Sequence, residues 1–226
     1  MVLSKKVIEI DSGRKPVRHP AAHPLGDLPD VPVLPETLLM MEFCAQRQAT
    51  NLHELAEIVL GDLGAAIQIM HKAGQECMLR NARPDRVEDY ISALGVQGCM
   101  GAASRRIVTR GMNKSLIRET WSHSNEIARR CKLLADENIC GEVNPTEAYL
   151  TGLFHKIGSL PVMFDWDLSR GLSGDPVHGG LRLADAWFLP QCIAEYFSEL
   201  QDGKSSGRLT RIVRQAHEAV NLTPKG

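Results

Sequence analysis

Almost every local signature that would name a function outright is missing from this chain. It has no P-loop, no G-x-G-x-x-G run after a strand, no G-x-S-x-G and no H-E-x-x-H. Asp165-x-Asp167 lacks the ligand spacing of a calcium loop. Aromatic residues are only 5% of the sequence, which argues against a base-stacking surface. Neither sign of charge is in excess: 26 basic against 27 acidic residues give a formal net charge of -1. That removes the simplest electrostatic case for a nucleic-acid binder and leaves only a local patch. No run approaches the roughly 18 apolar residues of a membrane span, and the opening MVLSKKVIEIDSG lacks the apolar core of a signal peptide. Of the six cysteines, the closest pair is nine residues apart, so zinc-ribbon and C-x-x-C spacing are excluded. They read as scattered core thiols in a reducing cytoplasm, the expected location, with a disulfide framework as the alternative.

What is present is an ordinary globular composition, 43% hydrophobic and 23% charged over 226 residues, ample for a real core. Residues 1–27 are dense in Pro, Gly and His and read as a flexible tail, with Val7–Ile10 the one strand-like run. From Leu28 onward the apolar spacing is helical almost throughout. Asn51 with Glu54 resembles a capping box for a helix carrying Leu55, Ala56 and Val59. Asp62 can cap the next helix, and Asp85 another that Gly95 closes. Cys99, Ala103 and Ile107 mark one more helix, closed by Gly111.

A second group begins near Leu116. Asn144-Pro145-x-Glu147 combines a cap, a proline at the first helical position and a carboxylate at the positive helix end. That helix carries Leu150, Leu153, Phe154 and Ile157, with Gly158 terminating it. A loop with Gly171, Gly174 and Pro176 follows. Then come helices from Leu181 to Trp187 and from Ile193 to Leu200, and a last amphipathic one carrying Leu209, Ile212, Val213, Ala216 and Val220. β-Branched alternation is missing, so the expected fold is all-α.

The best candidate for chemistry is Gly152-Leu153-Phe154-His155-Lys156-Ile157-Gly158, with Trp121-Ser122-His123-Ser124 upstream. The run resembles the G-L-L-H-D-I-G motif of the HD phosphohydrolase superfamily, and His123 matches that superfamily's earlier lone histidine. The wider chain resembles the HDOD family. Leu28-Pro29-x-x-Pro32, Leu52-x-Glu54-Leu55-Ala56-x-Ile58-Val59-x-x-Asp62, Ile91-x-x-Leu94-Gly95 and Thr151–His155 with Leu189-Pro190 are similar to its segments and stand in its order, over roughly residues 28–222. The resemblance implies a two-lobed helical bundle: a first lobe over 28–113, an HD-like second lobe over 114–222 and a short tail over 223–226. In active members of the superfamily it implies that the histidines and the motif Asp hold divalent metal, which activates water against phosphorus.

The departures bear on that chemistry. Lys156 stands in place of the motif Asp, and a protonated lysine cannot ligate a metal and repels one. The later His-rich stretch falls near Tyr196-Phe197-Ser198-Glu199, which holds no His, and His217 replaces the final Asp. His123, His155 and His217 together are able to bind Zn²⁺ if they converge. The alternative leaves His123 and His155 hydrogen-bonded in the core and His217 on a wet helix face. Lys156 has three readings: solvated, paired with a carboxylate such as Glu199, or contacting an anion or partner.

Arg105, Arg106 and Arg110, with Lys114, form a basic stripe that reads as a solvated helix face, with a contact for nucleic acid or an acidic partner as the alternative. Trp121, Trp166 and Trp187 read as packing residues or an interface anchor, and Met40, Met41, Met70 and Met78 as core filler. The expected function is a non-catalytic module with no resident cofactor or metal. It would act on protein partners, or by self-association, in a bacterial signalling pathway, and would pass its output through another chain. The rivals are an HD-type phosphohydrolase with an atypical ligand set and a nucleic-acid-binding regulator.

Overall fold

A computed structural model of the chain describes residues 31–47, 51–77, 84–104, 113–137, 143–168, 172–203 and 207–222. The expected tail over 1–27, the Val7–Ile10 run, the 223–226 tail, Met78, Cys140, Arg105, Arg106, Arg110 and Gly111 lie outside the described residues, as does the Cys77 side chain. Among the described residues every regular element is helical: α1 (Pro35–Ala45), α2 (Leu52–Leu60), α3 (Leu63–Cys77), α4 (Val87–Ala103), α5 (Lys114–Asp136), α6 (Pro145–Phe154), α7 (Leu160–Met163), α8 (Pro176–Ala186), α9 (Gln191–Gln201) and α10 (Arg208–Leu222). A 3-10 turn over Ile157–Ser159 joins α6 to α7. The all-α expectation is met.

Local side-chain caps start half of these ten helices. The Asn51 side chain accepts the His53 N–H, Asn113 those of Ser115 and Leu116, Asn144 that of Thr146, and Asp175 those of Val177 and His178. Asp62 is fully buried, caps α3 by accepting the Ala65 N–H at 3.1 Å, and also accepts the Leu34 N–H at 2.7 Å. One carboxylate thus starts a helix and anchors the segment that leads into α1.

Several expectations change. Glu54 does not close a capping box with Asn51; it pairs with Arg47 at 2.7 Å, because a long exposed carboxylate reaches a guanidinium more readily than its own helix end. Asp85 does not cap α4, whose N-cap is Arg86 with no side-chain bond. Gly95 does behave as expected: at φ 66 and ψ 171 it is non-helical and divides α4 into two helical stretches, the second carrying Cys99 and running to Ala103. Ile157 is not on α6, which stops at Phe154. Pro176 is not in a loop: it is the first residue of α8, its fixed φ suiting the helix start behind the Asp175 cap. Met40 is 54% exposed and not core filler, whereas Met41 and Met70 are buried.

The buried apolar side chains form one continuous cluster from Val31 to Ala216. Trp121 packs edge-on against Phe164, and Trp166 edge-on against Trp187, with all three tryptophans buried as packing residues. Cys44, Cys99, Cys131 and Cys192 are buried and form no disulfide, so these four take no part in a disulfide framework. No helix among the described residues is long and apolar enough to cross a membrane.

Candidate functional site

α5 packs most extensively against α6, and small residues make this possible. A Cβ on Gly152 of α6 would lie 2.7 Å from Ala128 Cα of α5, closer than real Cβ atoms come to backbone. The glycine of the motif run therefore lets two helices touch along their backbones. That contact carries His155, at the C-cap of α6, to His123, midway along α5.

α10 closes the third side. Its start is held by Glu199 of α9, whose Oε2 accepts the Leu209 and Thr210 N–H groups at 3.1 and 2.8 Å and the Thr210 hydroxyl at 3.0 Å. Arg208 adds ion pairs to Glu195 of α9 at 2.9 Å and Glu147 of α6 at 3.2 Å. Leu209, Ile212, Val213 and Ala216 then bury one face of α10, and His217 follows at the rim of that face.

The three histidines converge. Ring centroids are 5.4 Å apart for His123 and His155, 5.2 Å for His123 and His217, and 4.9 Å for His155 and His217. One ring nitrogen from each lies within 4.8 Å of the others. His217 is thus half-buried against its partners, which corrects the wet-face alternative.

His155 is the deepest, at 8% exposed. Its Nδ1 lies 2.6 Å from the Gly152 carbonyl oxygen. A carbonyl only accepts, so Nδ1 carries the proton and donates. Burial pushes the His155 imidazole down to about 3, with the neighbouring His217, His123 and Lys156 acting in the same direction. The ring is therefore neutral at physiological pH, and Nε2 is a bare lone pair. That Nε2 is buried and has no hydrogen-bond partner. Burial, then the Lys156 charge, also lowers His217.

Lys156 is exposed at the edge of this cluster. It does not hold Glu199, whose Oε2 is taken by the start of α10. Lys114, at the first turn of α5, is exposed as well. The sequence reading named His123, His155 and His217 and missed what brings the third one in: the Glu199 anchor, legible only once α9 and α10 are known to be neighbours.

The donor set decides which metal chemistry fits. Three imidazole nitrogens without a carboxylate lack the Asp that the resemblance places among the ligands of an active HD-type centre. They do fit one borderline cation, and the Nδ1–Gly152 bond is the kind of outer contact that orients a ligating histidine.

The HDOD domain model matches residues 31–166, more than half of the sequence. The chain belongs to the HDOD family. Solved structures similar to this HDOD protein include the MmoQ response regulator from Methylococcus capsulatus str. Bath, 20% identical with a TM-score of 0.63 over 85% of this chain and 88% of that one. A fragment of the same regulator gives 20% identity and a TM-score of 0.61 over 86% and 87%. A virulence factor from Campylobacter jejuni subsp. jejuni is 14% identical, with a TM-score of 0.54 over 83% of this chain and 75% of that one. At these identities the likeness concerns the fold. No curated protein matches the sequence.

Proposed function

We propose that this HDOD protein is a non-catalytic regulatory module that works by binding another protein in a bacterial signalling pathway. The observation that carries the reading is the ligand set at the HD-motif position: three imidazoles and an exposed lysine, with no carboxylate. Hydrolysis by a metal-held water needs a centre that both binds the cation and places the water against phosphorus. The Asp that the resemblance places among the ligands is replaced by Lys156, which supplies no donor to a metal while protonated.

Two further facts support a binding role. Similar structures include a protein described as a response regulator. On α1, Leu39, Met40 and Phe43 are 56%, 54% and 68% exposed and share one helix face at i, i+1 and i+4. Large apolar side chains grouped on one exposed helix face are a surface that association can cover.

The test has two arms. Purified protein is incubated with linear and cyclic nucleotide phosphodiesters and Mn²⁺, Mg²⁺ or Fe²⁺. The expected result is no turnover that disappears in His155→Ala. In the second arm, a photo-crosslinking residue at position 43 in the native cell is expected to give one defined protein adduct. His155-dependent turnover overturns the non-catalytic reading, and the absence of any adduct from the α1 face overturns the choice of surface.

A further inference from the structure

We propose that His123, His155 and His217 form a site for a single borderline divalent cation of the Zn²⁺ class, held by three imidazole nitrogens, which staples α10 to α5 and α6. The inference goes beyond the binding role above and does not depend on which protein is bound.

Four observations carry it. The three rings come from three different helices, yet one nitrogen of each lies within 4.8 Å of the others. Zn–N bonds of about 2.0–2.1 Å place tetrahedral ligand nitrogens roughly 3.4 Å apart, so side-chain rotation closes the remaining gap without moving a helix. The His155 side chain is more than nine-tenths buried, and its Nε2 has no hydrogen-bond partner. A buried lone pair with no donor is costly unless something positive meets it. The Nδ1 bond to Gly152 at 2.6 Å fixes the tautomer that exposes this lone pair to the cluster. Finally, the set contains only nitrogen donors, which selects Zn²⁺, Ni²⁺, Co²⁺ or Cu²⁺ over Mg²⁺, Mn²⁺ or Ca²⁺.

Lys156 is the feature that argues against a cation here. It is exposed, so water screens most of its repulsion. A tetrahedral ion with three protein ligands also takes a fourth from outside. A cation at the rim favours an anionic fourth ligand, such as chloride or a carboxylate, over water.

A staple at this point has a defined consequence. α10 is otherwise held by its apolar face and by the Glu199 and Arg208 contacts near its start. His217 lies nine residues beyond Arg208, so the ion would pin the second half of the helix. Cation occupancy would then set how readily α10 loosens from the bundle.

The test uses the full chain, reduced and stripped with a chelator, titrated with Zn²⁺ or Co²⁺ alone. One equivalent is expected to bind, Co²⁺ giving the visible absorption of a low-coordinate nitrogen site. Hydrogen exchange in α10 is expected to slow on loading. His217→Gln, a half-exposed position that leaves the core intact, is expected to weaken binding by at least about tenfold with an unchanged circular-dichroism spectrum. His155→Gln should do the same, while His19→Gln with His23→Gln in the N-terminal segment should leave the affinity unchanged. Equal affinity in His217→Gln, no binding of Zn²⁺ at micromolar concentration, or a preference for Mg²⁺ or Mn²⁺ would each overturn the proposal. These readouts are independent of turnover, so binding together with hydrolysis would sink the non-catalytic reading and leave the site standing.

Discussion

Asn125 of α5 donates from Nδ2 to the carbonyl oxygen of Gly61, 2.7 Å away and 64 residues earlier in the chain. The same nitrogen reaches the Trp121 carbonyl at 3.1 Å. The Tyr149 hydroxyl of α6 lies 3.2 Å from the Leu60 carbonyl and 3.4 Å from Asn125 Oδ1. Carbonyls at the end of α2 have no partner within their own helix. Here they are met by side chains from α5 and α6. Farther along, the Tyr90 hydroxyl of α4 donates to the Phe188 carbonyl at 2.8 Å, and Arg118 of α5 pairs with Glu36 of α1. Polar bonds as well as the shared core cross the expected lobe boundary near residue 113.

Asn125→Ala should therefore destabilise the whole protein, not one lobe. It removes the Asn125 donor from the part-buried bond to the Gly61 carbonyl and takes a neighbour from Tyr149, a cost of about 0.5–1.5 kcal/mol. Urea denaturation followed by tryptophan fluorescence and by circular dichroism is expected to give one coincident transition at lower midpoint. Two separate transitions would show that the lobes unfold independently.

Two glycines in this chain should respond to alanine with opposite signs. A Cβ on Gly158 would lie 1.7 Å from the Pro176 carbonyl oxygen and 2.7 Å from the Gly180 nitrogen, both backbone atoms that cannot swing aside. Gly158→Ala must push the start of α8 away from the 3-10 turn beside His155. We expect a loss of about 3 kcal/mol or more, at the upper end for overpacking. Gly101 sits in the exposed side of α4 with nothing within 4 Å of its missing Cβ. There Gly101→Ala only reduces the freedom of the unfolded chain and should stabilise by about 0.5–1 kcal/mol. Denaturation midpoints of the two variants check both signs.

The contrast between those glycines also marks what was legible beforehand. Features whose cause is local could be read directly. Asn51, Asp62 and Asn144 act on N–H groups within three residues, so the cap and the helix it starts appear together in the sequence. Asp175-Pro176 carried the same signal and was obscured by the glycines around it, which pulled the reading toward a loop. Gly95 punctuates α4 as its residue type demands, and the helical spacing of Cys99 and Ala103 beyond it was legible too. His123 and His155 stood out through their motif. The inward turn of His217 did not, because periodicity says which residues share a face and not what lies opposite. Charge alone offers Glu199 as one partner for Lys156, whereas its Oε2 accepts the N–H groups of Leu209 and Thr210 at the start of α10.

Two cysteines provide a test of rigidity. Burial pushes the Cys99 and Cys192 thiols up to about 12. At pH 8 only about one molecule in ten thousand would carry the thiolate at either position, and the thiolate is the form that reacts. Iodoacetamide at pH 8 should leave Cys99 and Cys192 unmodified in the native protein and alkylate both in denaturant, as read by peptide mass spectrometry. Alkylation in the native state at the rate of a free thiol would mean that α4 and α9 open far more often than a packed core allows.

The histidine cluster makes stability depend on pH in one direction. His155 drops from an ordinary value of 6.5 to about 3 on folding, chiefly by burial. Between those values the unfolded chain binds a proton that the folded chain refuses. Stability therefore rises with pH across that window: its contribution is fully present above 6.5 and is lost as the solution is acidified toward 3. Each pH unit inside the window costs up to about 1.4 kcal/mol for one such proton. His217 is lowered too and acts in the same sense, less strongly because it is half-exposed and its charge is screened. Carboxylates add their own slope at lower pH, so the informative range is 5 to 6.5. In chelator-treated protein, urea unfolding across that range should show a positive slope that falls by close to one proton in His155→Gln. A wild-type slope equal to that of the variant would mean that His155 titrates normally, and that the buried, neutral imidazole inferred from its Gly152 bond does not exist in solution.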